Sequence, residues 1–289
     1  MLHKTSHPKL VLDCAPDNVV DLTGVASAKG TIKVATTAAG TGNIVRFGKG
    51  ATFSGSISVQ GKNNLVEIGQ NCVIRGSILV KGNDQRVVIG DQTTFVDVYI
   101  LCQEGCNVDI GRWCMFSRDI EIRTTDAHSV VDRVSRKRIN LPKSIVIGSH
   151  VWIGVGVLVS KGSGIPSDSI VGAKTFVNTV FEEEGTVIAG SPARVVKRGI
   201  TWNRLRRPSF TQDELDQWRA SNANMSDSEL ADEIVSVNLS YTQTRNGKNY
   251  FIALYLTNKK SIRLTGFKPT LPVAYLVLKT WHGKNKALR

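Results

Sequence analysis

Apolar residues followed by glycine recur at a constant spacing of 21 residues, at Phe47, Ile68, Ile89 and Ile110. Two more apolar residues stand six and twelve positions after each of them: Phe53 and Val59, Ile74 and Val80, Phe95 and Leu101, Phe116 and Ile122. After residue 145 the spacing is purely six, through Ile147, Ile153, Val159, Ile165, Val171 and Val177. Each six-residue unit predicts a short strand with a corner, and three units make one coil. Because a single coil cannot bury its apolar face, the coils must stack into an all-β solenoid.

Two details support this interpretation. Glycine after the first ladder residue suits a corner where the backbone turns with little room for a Cβ atom. Small or modest side chains stand four positions after the first ladder residue of each coil, as an interior column requires: Ala51, Cys72, Thr93, Cys114 and Val151. This column explains two of the five cysteines without any chemistry. An odd number of cysteines argues against a complete disulfide framework, and Cys102 and Cys106 lack a second pair at zinc-site spacing, so no metal is predicted.

The repeat is interrupted once. Ile122 and Ile147 are 25 residues apart where a spacing of nine is expected, which leaves 16 extra residues in a protruding loop at 123–144. Loops of this length in a compact domain are usually functional or disordered. The loop carries His128, and histidine is the usual general base near neutral pH. Either Asp126 or Asp132 would orient its imidazole, although a lone loop histidine is more often simply solvated.

The flanking segments differ in composition. We predict an N-terminal cap at 1–25, a β-helix domain at 26–202 and a basic C-terminal module at 203–289. The capping boxes Thr211-x-x-Glu214 and Ser226-x-x-Glu229 predict two short helices, around 211–220 and 226–235. Alternating apolar residues over 235–241, the turn dipeptide Asn246-Gly247, a returning strand over 250–256 and a further strand over 273–281 complete a small α+β appendage.

The charge of +13 and the pI near 9.7 favour an anionic partner. Residues 235–289 contain ten basic and no acidic side chains, and interleaved aromatic residues suit stacking on sugar rings. The alternative, with equal weight, is that these residues form a small module that only packs on the solenoid and contributes to oligomerisation. Nucleic acid is not predicted, since no binding motif accompanies the charge. Without a signal-peptide core or an 18-residue apolar run, we expect a cytoplasmic protein that does not span the membrane; peripheral membrane contact stays open.

Four segments carry a family resemblance: DAHS from Asp126, IVIGSHVWIG from Ile145, SIVGA from Ser169 and VIAGSPARVVKRGITW from Val187. With the repeat, they make about residues 26 to 202 resemble the hexapeptide-repeat acyltransferases, and in particular the capsular-polysaccharide and sialic-acid O-acetyltransferases. The resemblance implies a left-handed parallel β-helix, a homotrimer with active sites between neighbouring solenoids, acetyl-CoA as co-substrate and no metal.

The resemblance also implies site residues. His128 is the expected base, with Asp126 beside it. Apart from the resemblance, we expect a backbone N–H near Gly154 to hold the oxyanion, and the alternation of side chains along a strand predicts that His150 faces outward near the site. The expected acetyl-CoA residues are the outward Trp152, the flat surface of Gly154, Gly172, Ala173, Pro192 and Ala193, and the basic Lys174, Arg194 and Lys197. Trp113, Arg123 and Arg133 are the candidates for substrate binding.

The predicted function is transfer of acetyl from acetyl-CoA to a hydroxyl of an anionic cell-surface glycan. A free sugar, amino sugar or nucleotide sugar is the alternative acceptor. Two rivals use the same fold. A gamma-class carbonic anhydrase needs three histidines on zinc, and the repeat offers at most His128 and His150. A non-catalytic glycan-binding solenoid would not require the base, the loop and the tryptophan together.

Overall fold

The computed structural model describes residues 7–36 and 40–220, and the backbone of residues 2–3, 243–245, 248–250, 253–257 and 261–265. The chain divides into two compact units, Met1–Trp218 and Arg219–Arg289. The first unit contains the predicted repeat and all the predicted site residues. Within the described ranges, no helix has the length and apolar character needed to cross a membrane.

The regular secondary structure described in the first unit consists of one helix and of short strands. In chain order they are β1 (Leu2–His3), β2 (Leu10–Cys14), β3 (Val19–Asp21), β4 (Ser27–Val34), β5 (Ile44–Phe47), β6 (Thr52–Gln60), β7 (Leu65–Ile68), β8 (Val73–Lys81), β9 (Arg86–Ile89), β10 (Thr94–Phe95), β11 (Val98–Gln103), β12 (Val108–Ile110), β13 (Met115–Phe116), β14 (Ile120–Arg123), β15 (Ile145–Ile147), β16 (Trp152–Ile153), β17 (Leu158–Val159), β18 (Gly164–Ile165), β19 (Ile170–Val171), β20 (Phe176–Val177), β21 (Val187–Gly190) and β22 (Ala193–Lys197). One helix, α1 (Gln212–Ala220), follows.

From β12 to β17, each strand pairs in parallel with the strand one coil later. β12, β15 and β18 form the first face, β13, β16 and β19 the second, and β14, β17 and β20 the third. These faces enclose a triangular prism of about eight coils, which confirms the predicted solenoid. We call the corner between the first and second faces the first corner, that between the second and third the second corner, and that between the third and first the third corner.

The first ladder and its glycines are confirmed. Phe47, Ile68, Ile89, Ile110 and Ile147 stack in register on the first face, and all are buried. The glycine after each ladder residue lies at the first corner directly against the backbone of the next coil. A Cβ atom added to the glycine at position 111, for example, would lie 2.5 Å from the next coil's backbone nitrogen. Only glycine fits there.

The third ladder differs from the prediction. Val59 and Val80 are buried as predicted, but Val80 pairs with Cys102, and Leu101 pairs with Arg123 outside the interior column, where it is 5% exposed. Two interior columns run along this face, one through Val59, Val80 and Cys102 and the other through Ile57, Ile78, Ile100, Ile122 and Val159. The cause is one extra residue in the coil after Phe95, because Thr94 pairs 21 positions back and Val98 pairs 22 positions back. A one-residue shift turns each side chain of a strand to the other face.

The column of small residues is confirmed. Ala51, Cys72, Thr93, Cys114 and Val151 are fully buried. Backbone hydrogen bonds of 2.8–3.1 Å link the coils beside this column, for example from the Thr52 N–H to the Cys72 carbonyl and from the Val73 N–H to the Thr93 carbonyl. Burial raises the pKa of the Cys72, Cys102 and Cys114 thiols to about 12, so they stay protonated at neutral pH. This supports a structural role for them.

A ladder of buried amides climbs the third corner. Asn43 donates to the side-chain oxygen of Asn18 at 2.7 Å, Asn64 donates to that of Asn43 at 2.9 Å, and the Gln85 N–H donates to that of Asn64 at 3.0 Å. Each amide thus satisfies a polar group of the neighbouring coil inside the prism. The 21-residue spacing of positions 43, 64 and 85 carried this signal, which the search for apolar residues missed.

Both ends of the unit extend the predicted pattern. β2 pairs in parallel with β4, and β1 pairs antiparallel with β2. Residues 26–46 fit the ladder only weakly in sequence, at Ala26, Ile32 and Ala38; Ile32 is buried, Ala26 is exposed, and position 38 lies outside the described residues. The capping box of α1 is present, since the Thr211 N–H donates to Glu214 Oε2 at 3.0 Å.

In the second unit, two antiparallel pairs of strands are described. β23 (Gln243–Arg245) pairs with β24 (Lys248–Tyr250), on either side of the predicted turn at 246–247. β25 (Ala253–Thr257) pairs with β26 (Ser261–Thr265). The predicted second helix at 226–235 and the predicted strands at 235–241 and 273–281 lie outside the described residues.

The close backbone contact at the first corner can be tested by adding a methyl group to its glycine. Gly111→Ala should lower the free energy of unfolding by about 1–3 kcal/mol, because the added methyl meets immobile backbone. Gly172→Ala is the matched control, since its added Cβ would lie 3.2 Å from the Ala189 methyl and farther from every other atom. Urea unfolding followed by circular dichroism measures both. Equal losses for the two variants would contradict the role of the first corner.

Candidate functional site

The loop leaves the prism at the third corner, between β14 and β15, and both of its ends are tied to coils. At its base the Lys143 N–H donates to the Thr124 carbonyl at 3.0 Å. One coil earlier, Glu104 accepts hydrogen bonds from Thr125 Oγ1 at 2.5 Å and from Arg138 Nη1 at 2.5 Å. Farther out, Val131 and Arg138 form an antiparallel bridge. The loop is therefore braced by contacts with the neighbouring coils and between its own two halves.

His128 lies exposed on this braced loop. Within the described residues no side chain forms a hydrogen bond with its imidazole. The Asp126 carboxylate instead accepts hydrogen bonds from Lys161 and Asn140, which hold the pKa of Asp126 below its usual range. Asp132 accepts from the Ser135 N–H at 2.7 Å. The two carboxylates expected to orient the ring are thus engaged with other partners, and neither forms a hydrogen bond with the imidazole.

Trp152 lies on the second face, which is opposite the third corner. Its side chain points outward, as predicted, and is 39% exposed. On that face it stands between Met115 and Ile170 of the neighbouring coils. Since the prism separates the second face from the third corner, one chain does not bring Trp152 and His128 together.

The residues expected to bind acetyl-CoA fall into two places. Gly154, Gly172, Ala173 and Lys174 line the second corner in successive coils, where Ala173 and Lys174 are exposed. Here the Lys174 N–H donates to the Val155 carbonyl at 2.8 Å. The Gly154 N–H donates to the Val171 carbonyl at 2.8 Å, so this amide is not free to hold an oxyanion.

The second place is the hairpin of β21 and β22, where Pro192, Arg194 and Lys197 are exposed. The prediction for Ala193 is wrong, because its side chain is fully buried in the core. β22 folds back antiparallel to β21, with Ala193 opposite Gly190, and this pairing turns the methyl group into the end of the prism.

The three candidates for substrate binding lie apart. Trp113 occupies the first corner with a φ of 59°, and its indole nitrogen is buried. Arg123 ends β14 on the third face, where its guanidinium lies 3.2 Å from Glu121. Arg133 is exposed in the outer part of the loop. Of these, only Arg123 and Arg133 are on the same side of the prism as His128.

An aromatic stack, which the sequence did not reveal, covers the first corner. It consists of Trp218, His150, Trp202 and Trp152. His150 was expected on the surface, yet it is only 5% exposed, because it lies between Trp202 at 4.3 Å and Trp218 at 4.8 Å, with nearly parallel rings. Trp202 in turn contacts Trp152, with ring centroids 6.1 Å apart. The His150 side chain thus leaves the prism as predicted, but it is not on the surface, because the C-terminal segment covers it.

Polar contacts hold the stack in place. His150 Nδ1 lies 2.7 Å from Asp168 Oδ1, which also accepts from Thr201 Oγ1 at 2.7 Å. Trp202 Nε1 donates to the His150 carbonyl at 2.8 Å. A zinc site shared by His150 and His128, as in a carbonic anhydrase, is incompatible with this enclosure. The His150 imidazole, which a carbonic anhydrase would need as a zinc ligand, is instead stacked between Trp202 and Trp218 and lies 2.7 Å from Asp168 Oδ1.

Comparison with known proteins gives partial matches in sequence. No protein-family model matches the chain. A polysialic acid O-acetyltransferase of Escherichia coli O1:K1 / APEC is 37% identical over 123 residues, which are 43% of this chain and 40% of that protein. A polysialic acid O-acetyltransferase of Neisseria meningitidis is 35% identical over 123 residues, 43% of this chain and 57% of that protein. The chain thus spans about half the length of these curated relatives.

Solved structures match over more of the chain. The crystal structure of the polySia-specific acetyltransferase NeuO has a TM-score of 0.66 and 28% identity, and the match covers 75% of this chain and 99% of that one. The polysialic acid O-acetyltransferase OatWY gives a TM-score of 0.57 and 29% identity, with 72% and 94% covered. The chain therefore resembles the hexapeptide-repeat acetyltransferases, and among them the sialic-acid O-acetyltransferases.

Proposed function

We propose that this protein is a cytoplasmic O-acetyltransferase that transfers acetyl from acetyl-CoA to a hydroxyl of an anionic, sialic-acid-type capsular polysaccharide. The observation that carries this proposal is an exposed imidazole on a braced loop, in a solenoid that resembles two polysialic acid O-acetyltransferases. A free sugar, amino sugar or nucleotide sugar is the alternative acceptor, since the same base serves each nucleophile.

The reaction proceeds by direct transfer in a ternary complex. His128 takes the proton of the acceptor hydroxyl while the oxygen attacks the thioester carbonyl. As the tetrahedral intermediate collapses, the coenzyme A sulfur leaves and takes up the proton from the imidazolium. A covalent acyl-enzyme is disfavoured, because the Cys72, Cys102 and Cys114 thiols are buried and their pKa is raised to about 12.

The active site lies between copies of the chain in a homotrimer. His128 and Trp152 lie on opposite sides of one prism, so a second copy must bring its second face to the loop. The loop offers an apolar surface for that contact, with Val130, Val131, Val134, Ile139 and Leu141 each more than half exposed. A flat solenoid face becomes one wall of a pocket only when a neighbour supplies the other.

The first prediction concerns the base. His128→Ala should lower kcat by about 10²–10⁴-fold and leave the KM for acetyl-CoA nearly unchanged, because the variant loses proton transfer and not coenzyme contacts. Release of free thiol from acetyl-CoA, with polysialic acid as acceptor, measures both. Lys137→Ala, on an exposed position of the same loop, is the control. Turnover near that of the wild type in His128→Ala would refute the assignment.

The second prediction concerns the shared site. His128→Ala and Trp152→Ala should each be impaired alone, whereas mixed trimers of the two should recover about a third of the wild-type sites, because one of their three interfaces joins an intact His128 to an intact Trp152. Co-expression with two affinity tags isolates the mixed species. A mixture of His128→Ala with the double variant cannot recover and serves as control. If the true mixture also shows no recovery, each site lies within one chain.

The third prediction concerns the basic second unit, which gathers the anionic polymer. Deleting residues 221–289 leaves α1 and its Trp218 contact in place. The truncation should raise the KM for long polysialic acid chains far more than that for a monosaccharide, and salt should shrink the difference by screening. Steady-state kinetics at two salt concentrations give the comparison. Equal changes for polymer and monomer would leave the unit only a structural role.

A further inference from the structure

The two arms of the loop face each other around His128 without pairing there. The outgoing arm is residues 124–131 and the returning arm is residues 138–143. Backbone hydrogen bonds join the arms at the base, from the Lys143 N–H to the Thr124 carbonyl at 3.0 Å, and farther out, from the Ile139 N–H to the Val130 carbonyl at 2.9 Å. Between these two points the side chain of Asn140 spans the gap from within the loop.

The Asn140 amide uses all its hydrogen-bonding capacity on this gap. Its Nδ2 donates to Asp126 Oδ2 at 2.7 Å and to the His128 carbonyl at 2.8 Å. Its Oδ1 accepts from the Val130 N–H at 2.7 Å and from Arg138 Nε at 3.2 Å. An amide has two donor hydrogens and two acceptor lone pairs, and all four are matched here. Asn140 thereby binds the backbone of His128 itself and contacts Asp126 and Val130, which lie two positions away on either side.

Lys161, which lies at the third corner one coil after the loop, connects this arrangement to the prism. Its ammonium donates to the Asp126 carboxylate and, at 3.1 Å, to the Asn140 carbonyl. Glu104, one coil before the loop, holds Thr125 and Arg138 from the other side. The carboxylate of Asp126 is thus an anchor between Asn140 and Lys161, while the imidazole itself stays free.

We propose that Asn140 is the positioning residue for His128, with Lys161 and Asp126 as its supports; this inference rests on the proposed function. A base must lie within hydrogen-bond reach of the hydroxyl it deprotonates, and a displacement of about 1 Å costs up to 10²-fold in rate. Because the ring must remain free to bind the acceptor, its position is fixed through the backbone. Aspartate cannot replace Asn140, since it has no donor for the His128 carbonyl and would repel Asp126.

The experiment separates positioning from simple support of the loop. Asn140→Ala and Asn140→Asp should each lower kcat by at least about tenfold, with the KM for acetyl-CoA changed less than about twofold. If Asn140 acts through His128, Asn140→Ala should cause no further loss when added to His128→Ala. Lys161→Met should show a smaller loss that Lys161→Arg restores. Asn178→Ala, on an exposed position outside the loop, is the control.

Hydrogen exchange gives a readout that needs no activity. The Val130 amide should exchange faster in Asn140→Ala, whereas the Ala127 amide, which donates to Thr125 Oγ1 at 3.1 Å, should be unchanged. An unaltered Val130 amide, an unaltered kcat, or an equal loss of kcat with and without His128 would each overturn the positioning role. Full activity of His128→Ala, or a wild type that acetylates no acceptor, would instead refute the proposed function.

Discussion

Contact of backbone with backbone at the first corner fixes how one coil stacks on the next. The glycine of each coil lies so close to the following coil that an added Cβ would meet its nitrogen at 2.4–2.6 Å over five successive coils. Such contacts allow one register only. The stacked interior columns and the flat faces follow from it, because every strand inherits its height from the corner. Extra residues are accommodated at the other two corners: one follows Phe95 at the second corner, and the loop leaves the prism at the third.

A triangular prism with flat faces has few ways to build a site. Side chains on a face are separated by the spacing of strands, and the interior is filled. The corners are different: Gln92, Trp113, His150 and Asp168 occupy equivalent positions of successive coils with φ of 56–59°, which directs their side chains outward in a column. The C-terminal segment uses this column as its docking surface. The third corner holds the polar network of the loop, so the docked C-terminal segment and the loop network occupy different corners of one repeat.

Features set by the repeat could be predicted from the sequence, and features set by contacts between distant segments could not. Constant spacing revealed the first ladder, the glycines and the small-residue column. It failed at Leu101, because one added residue inside a coil is invisible to a search that tolerates apolar neighbours such as Ile100 and Cys102. It failed at His150, whose surroundings come from residues 52 and 68 positions away. Asn140 was missed because its partners become neighbours only when the loop folds back.

The amide ladder of the third corner has a consequence for the evolution of this fold. The side-chain oxygens of Asn18, Asn43 and Asn64 each accept from a backbone N–H of the next coil at 3.0 Å, and Gly55 and Gly76 repeat one close contact with the next coil at the second corner. A whole coil could therefore be duplicated or excised within this stretch, with the new junctions already complementary. Each event would change the height of the prism by one strand spacing, about 4.8 Å, and leave the loop at 123–144 untouched. Solenoids with more or fewer coils are thus reachable in single genetic steps, so the number of coils before the loop can vary without a change in the loop itself.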